Sequence, residues 1–194
     1  APVERAGSTE IGAAYVFRGS AASGLESTHA WMDWGEISFG AYATTVAAAG
    51  DVDGNGYPDI LVGTPEYRLP GANAGRAYLY LVDASGIEAS ASWVVTGATG
   101  DELGHDLAGL GDVDGDGTDD FAVGAAGIGR VYVHLGAAGG PSTSPWSTVS
   151  ASSDTRFGEA VAGPGDVDVD GLPDLVVGAP EVGGDSSGAV YVFS

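Results

Sequence analysis

Three stretches of this chain are copies of one another. GDVDGNGYPDILVGTP starts at Gly50, GDVDGDGTDDFAVGAA at Gly111 and GDVDVDGLPDLVVGAP at Gly165. Their first aspartates, Asp51, Asp112 and Asp166, stand 61 and 54 residues apart. Repetition of this kind constrains a fold strongly. Each copy must take the same local structure, and each must bury its apolar face against a neighbouring copy. Other landmarks keep the beat. Phe39-Gly40, Leu103-Gly104 and Phe157-Gly158 precede the acidic stretches, and Trp31, Trp93 and Trp146 recur at matching places. Gly12-Ala-Ala-Tyr-Val-Phe, Gly75-Arg-Ala-Tyr-Leu-Tyr, Gly129-Arg-Val-Tyr-Val-His and Gly188-Ala-Val-Tyr-Val-Phe form a fourfold series.

The period inside each repeat is two, which is that of strands. Asp59-Ile-Leu-Val-Gly, Phe121-Ala-Val-Gly and Leu175-Val-Val-Gly are short apolar runs ended by glycine. The Gly-x-x-Tyr series is rich in β-branched and aromatic residues, as strands are. The stretches around Trp93 and Trp146 supply a further strand, and a run poor in bulk precedes each acidic loop. Each repeat therefore reads as four strands, a to d, with the acidic loop joining a to b. The Gly/Ala content of strand a suits a crowded place near an axis. Four-stranded antiparallel blades around an axis make an all-β propeller. The boundaries predicted are an N-terminal half-blade over 11–37 (strands c and d), repeat 1 over 38–97, repeat 2 over 98–150, and repeat 3 over 151–194, lacking its last strand.

The acidic loops share one register. Oxygen-bearing side chains stand at positions 1, 3, 5 and 9: Asp51, Asp53, Asn55 and Asp59; Asp112, Asp114, Asp116 and Asp120; Asp166, Asp168, Asp170 and Asp174. Glycine stands at position 6, and Tyr57, Thr118 and Leu172 at position 7 would each offer a carbonyl. Calcium takes six to eight such oxygens, whereas zinc prefers the His and Cys that these loops lack. Three Ca²⁺ sites are the expectation. Solvated Asx-rich turns are the plainer reading, which three copies in one register weigh against. An EF-hand is excluded, because its twelfth position carries a bidentate Glu and here holds Val62, Val123 and Val177.

Charge narrows the function. Acids outnumber bases 27 to 6, for a net charge of −21; three bound Ca²⁺ would bring it to −15. Such a field repels phosphate backbones and anionic lipid, which excludes nucleic-acid binding. No apolar run approaches the ~18 residues of a membrane span. With no cysteine there are no disulfides and no thiolate sites. No serine sits in a nucleophile elbow, and His29, His105 and His134 form no constellation, so no catalytic residue is expected.

The combination of Phe-Gly, an acidic loop, Gly-Ala-Pro and a Gly-x-Val-Tyr-Val strand resembles the FG-GAP repeat of integrin α-subunit β-propellers. The third repeat fits best, with Phe157-Gly158, Asp166 to Asp174, Gly178-Ala179-Pro180 and Gly188-Ala-Val-Tyr. The second departs, with Leu103 for Phe and Gly124-Ala125-Ala126 for Gly-Ala-Pro; the first has Gly63-Thr64-Pro65. The resemblance implies calcium in the a–b loops and a ligand-binding face opposite them. It also implies an extracellular, periplasmic or cell-surface location. The function expected is a non-catalytic adhesion or protein-binding module. The alternatives are a carbohydrate-binding propeller and an accessory domain of a secreted hydrolase. Thirteen strands are counted, where a seven-bladed ring needs about 28. Three closures fit: part of a larger propeller, a homodimer sharing one ring, or a small closed arrangement.

Overall fold

A computed structural model describes residues 12–21, 24–35, 41–69, 72–151, 154–182 and 187–194. Within them the chain is all-β apart from one 3₁₀ turn, Ala126–Ile128. Thirteen strands carry the architecture: β1 (Ala13–Val16) and β2 (Trp31–Trp34); β3 (Thr45–Gly50), β4 (Asp59–Thr64), β5 (Arg76–Tyr80) and β6 (Trp93–Thr96); β7 (Leu103–Gly111), β8 (Asp120–Ala125), β9 (Arg130–His134) and β10 (Ser147–Ser150); β11 (Ala160–Gly165), β12 (Asp174–Val182) and β13 (Ser187–Phe193). Two-residue ribbons decorate the connections.

The strands form antiparallel sheets in simple up-and-down order. β3 to β6 make one four-stranded blade and β7 to β10 the next. β11, β12 and β13 make a three-stranded blade, with the short strand Asp154–Thr155 paired to the far end of β12. β1 and β2 pair antiparallel with each other. Each acidic loop joins the first strand of a blade to the second. A register irregularity sits at the end of that first strand every time, between Ala48 and Gly50, Gly109 and Gly111, and Ala162 and Gly165. A bulge there adds twist and re-aims the chain into the loop.

The cores lie between blades rather than within them. One gathers Leu61, Leu79 and Trp93 of blade 1 with Leu107, Phe121 and Val123 of blade 2. The next gathers Val131 and Val133 of blade 2 with Phe157, Val161, Leu175 and Val177 of blade 3. A third joins Ala14 of the half-blade to Val62, Tyr78 and Tyr80 of blade 1. Alternation along each strand sends neighbouring residues to opposite faces, so Ala122 and Val123 belong to different cores.

Two of the three recurring tryptophans, Trp31 and Trp93, are blade-to-blade contacts. Trp93 meets Phe121 and His134 of the next blade, and its indole N–H donates to the Ser142 carbonyl at 3.1 Å. Trp31 repeats this against Tyr80 and the Glu88 carbonyl. Trp146 departs from this pattern and is 59% exposed, and Val190 and Val192 on blade 3 are 72% and 56% exposed. Burial lowers the His134 imidazole to about 4.

The repeat's glycines have one shared cause. A Cβ on Gly63 would lie 2.3 Å from the Gly104 carbonyl oxygen, and one on Gly124 2.2 Å from that of Gly158. So the glycine of the Phe-Gly pair, or of Leu103-Gly104 in its place, presses its backbone on the glycine one residue before the end of the second strand of the preceding blade. The first pair, Phe39-Gly40, lies outside the described residues. The inner strands β3, β7 and β11 stand side by side, near enough that a Cβ on Gly163 would lie 2.3 Å from the Gly109 carbonyl oxygen. Backbone cannot yield as a flexible side chain can. Gly124→Val should therefore cost about 2–4 kcal/mol, at or beyond the upper range for overpacking, whereas Gly19→Ala, with open space around it, should change the melting temperature by no more than about 2 °C. Differential scanning calorimetry of the two variants checks this.

Candidate metal centres

Each loop gathers the carboxylates of positions 1, 3 and 9. One oxygen from each of Asp51, Asp53 and Asp59 lies within 4.8 Å of the others, and the same holds for Asp112, Asp114 and Asp120 and for Asp166, Asp168 and Asp174. The local fold that does this is the same three times. The position-1 carboxylate accepts the N–H of position 5 through one oxygen, at 2.9 Å from Asn55, 3.0 Å from Asp116 and 3.1 Å from Asp170. Its other oxygen accepts the N–H of the position-6 glycine, Gly56, Gly117 or Gly171, at 2.7–2.9 Å. That glycine has φ of 91°, 96° and 103°, a conformation costly for a side chain. The ring this makes around position 1 aims its carboxylate at those of positions 3 and 9.

The position-9 aspartate is the buried member. Asp59, Asp120 and Asp174 are 0–1% exposed. One oxygen accepts the N–H of position 2, from Val52, Val113 or Val167 at 2.6–2.9 Å. The other, in Asp59 and Asp120, accepts the N–H of Val82 or Gly136 just past the blade's third strand, both at 2.8 Å. Burial pushes the Asp120 carboxyl up to about 6; the hydrogen bonds from Gly136 and Val113 oppose this, and the charges on Asp114 and Asp112 add to it. Burial raises Asp59 in the same way.

Position 5 does otherwise. Asn55, Asp116 and Asp170 turn one side-chain oxygen to the N–H of position 7, Tyr57, Thr118 or Leu172, at 2.8–2.9 Å. The Thr118 hydroxyl and N–H hold Asp116 below the usual carboxylate range. Three carboxylates per loop thus converge, and position 5 also braces the turn.

The donor set fits a hard cation. Three carboxylates face one another, and in a chain without lysine none of the six arginines falls within a loop's sequence. Arg156 pairs with Glu102 and Glu159 elsewhere. Crowded carboxylates raise one another's pKa, and a cation reverses that cost.

Loop 3 carries a strain that sequence spacing does not reveal. Position 4 takes φ of 73° at Gly54 and 77° at Gly115, but in loop 3 it is Val169, at 66° and 86% exposed. A β-branched residue in that conformation is an outlier.

Comparison with known proteins follows the same lines. The family model described as FG-GAP repeat matches residues 42–80 and 157–193. Integrin alpha-3 of Cricetulus griseus is 32% identical over 149 residues, covering 72% of this chain and 14% of that protein. Integrin alpha-PS2 of Drosophila melanogaster is 34% identical over 176 residues, covering 79% and 12%. Integrin alpha-IIb of Homo sapiens is 37% identical over 148 residues, covering 68% and 14%. The chain therefore spans about one seventh of the length of these relatives.

Removing metal separates the two roles of the aspartates. In EDTA, Asp120→Ala should lose about 2–5 kcal/mol, since two backbone N–H groups lose their acceptor, whereas exposed Asp114→Ala should stay within about 0.5 kcal/mol of the parent; urea unfolding measures both. Val169→Gly should gain about 0.5–1 kcal/mol by relieving the left-handed valine, read as a rise in urea midpoint at unchanged slope.

Proposed function

The chain carries FG-GAP repeats related to those of integrin α-subunits, and on that premise we propose that it is a calcium-stabilised, non-catalytic adhesion module that binds a protein ligand outside the cytoplasm. The observation that carries the metal is the threefold convergence of positions 1, 3 and 9. In this reading Ca²⁺ is held by the carboxylates of Asp51, Asp53 and Asp59; Asp112, Asp114 and Asp120; and Asp166, Asp168 and Asp174. The remaining lone pair of the Asn55 amide oxygen, the second carboxylate oxygens of Asp116 and Asp170 and the carbonyls of Tyr57, Thr118 and Leu172 complete the shells. Each ion ties the first strand of a blade to the second, and in loops 1 and 2 position 9 carries the tie on to the third.

An extracytoplasmic place suits such sites, because extracellular calcium modules bind with Kd of about 10⁻⁴–10⁻³ M. Among the described residues no helix is long and apolar enough to cross a membrane. The face opposite the acidic loops is the proposed ligand surface. Its longest connection, between β4 and β5, exposes Glu66 and Arg68. Between them Tyr67 carries the Arg76 guanidinium 3.6 Å above its ring. Connections that vary on a rigid scaffold are the usual place for recognition. Trp31 and Trp93 are engaged between blades, which favours a protein ligand over saccharide stacking.

At roughly millimolar calcium each site should add about 0.4–1.4 kcal/mol, or roughly 1–4 for three independent sites. The melting temperature should rise by roughly 2–16 °C on replacing EDTA with calcium and fall back on chelation. A melt indifferent to calcium, scanned by calorimetry with magnesium as the comparison, refutes structural sites.

A further inference from the structure

The acidic loops of blades 1 and 2 are joined to each other. Asp119, between Thr118 and Asp120 of loop 2, reaches across the blade boundary to the first residue of loop 1. Its carboxylate accepts the Asp51 N–H at 2.8 Å, and its own N–H donates to the Asp51 carbonyl at 2.9 Å. Gly50 makes room, since a Cβ there would lie 2.3 Å from the Asp119 carboxylate. A second path runs beside it. The Val52 N–H donates to Asp59 and the Val52 carbonyl accepts from Ala137, while the adjacent Gly136 N–H donates to Asp120. The buried carboxylates of the two loops are thus linked through backbone groups that each of them holds.

The other loops have no equivalent of Asp119. Its position is Pro58 in loop 1 and Pro173 in loop 3. Proline has neither an N–H nor a carboxylate to offer. Pro173 only packs near Gly111, its ring 3.2 Å from where a Cβ there would stand.

We propose that Asp119 couples the first two metal loops, so that a cation in either raises the affinity of the other, while loop 3 binds independently. This rests on the cation occupancy proposed above. The physical route is short. A metal in loop 2 fixes Thr118 and Asp120, the residues on both sides of Asp119. Asp119 in turn fixes the backbone of Asp51, whose carboxylate is a position-1 ligand. Asp119 is a positioning residue in this scheme and touches no metal itself. Linkage makes the effect mutual and equal in both directions.

Calcium chloride titration of the whole chain, followed by amide NMR, resolves the loops one by one. The Gly56, Gly117 and Gly171 N–H groups each donate to the position-1 carboxylate of their own loop, so each reports its own site. Disabling loop 2 with Asp114→Ala should weaken loop 1 by about fivefold or more and leave loop 3 within about twofold. Disabling loop 1 with Asp53→Ala should weaken loop 2 by the same factor. Asp119→Ala should bring that factor toward one. Asp119→Asn, which keeps an acceptor oxygen but no charge, should retain most of it. An unchanged loop 1 when loop 2 is disabled overturns the coupling, and so does a factor that survives Asp119→Ala. A silent response at all three glycines refutes the metal reading itself, and the coupling falls with it.

Discussion

A carboxylate buried at the start of each blade's second strand organises the rest of the structure. Asp59 and Asp120 each hold two backbone N–H groups, one from the acidic loop and one from beyond the third strand. Three strand ends therefore meet on one side chain. An ionised group so deeply buried is costly unless its oxygens are occupied, and the neighbouring carboxylates make that cost larger. Its hydrogen bonds offset part of the penalty, and a cation among the three carboxylates would offset the remainder. The same residue is thus a structural pin and the innermost wall of the carboxylate cluster.

The second constraint is that the blades have no core of their own. Each of the three cores is shared between neighbouring blades, so the apolar faces are buried by the blade beside them. Close contact between blades demands small residues where backbones cross, which is why a glycine stands one residue before the end of the second strand in blades 1 and 2 and another follows the aromatic of the Phe-Gly pair. In blade 2 that aromatic is Leu103, 3% exposed. It fills the place that Phe157 fills in blade 3, with less volume and no ring. The family model matches residues 42–80 and 157–193, and Leu103 lies between the two. Packing there is kept while the residue that defines the motif is changed.

Much of this was legible in the chain. Period-two runs ended by glycine located the strands, and fixed spacing from Asp51, Asp112 and Asp166 located the loops, because strand geometry and loop closure are local. The carboxylate convergence at positions 1, 3 and 9 followed from the same spacing. Asn55, Asp116 and Asp170, read from the spacing as ligands, also turn one oxygen each to the N–H of position 7. Asx side chains compete for nearby N–H groups, and spacing alone does not say which competitor wins. The strain at Val169 was also hidden, since a valine among aspartates reveals no dihedral angle.

The sequence by itself determined that the chain is a series of equivalent all-β units, each with an acidic loop between its first two strands. Repetition and two-residue periodicity are properties of the covalent chain, so reading them requires no knowledge of its path. Only the tertiary structure decided which residues of one unit meet which of the next: Trp93 with His134, Gly124 with Gly158, Asp51 with Asp119. The last pair lies 68 positions apart. Such contacts depend on the angle and stagger between adjacent sheets. Those are set by the packing of whole faces, and no short stretch of sequence specifies them.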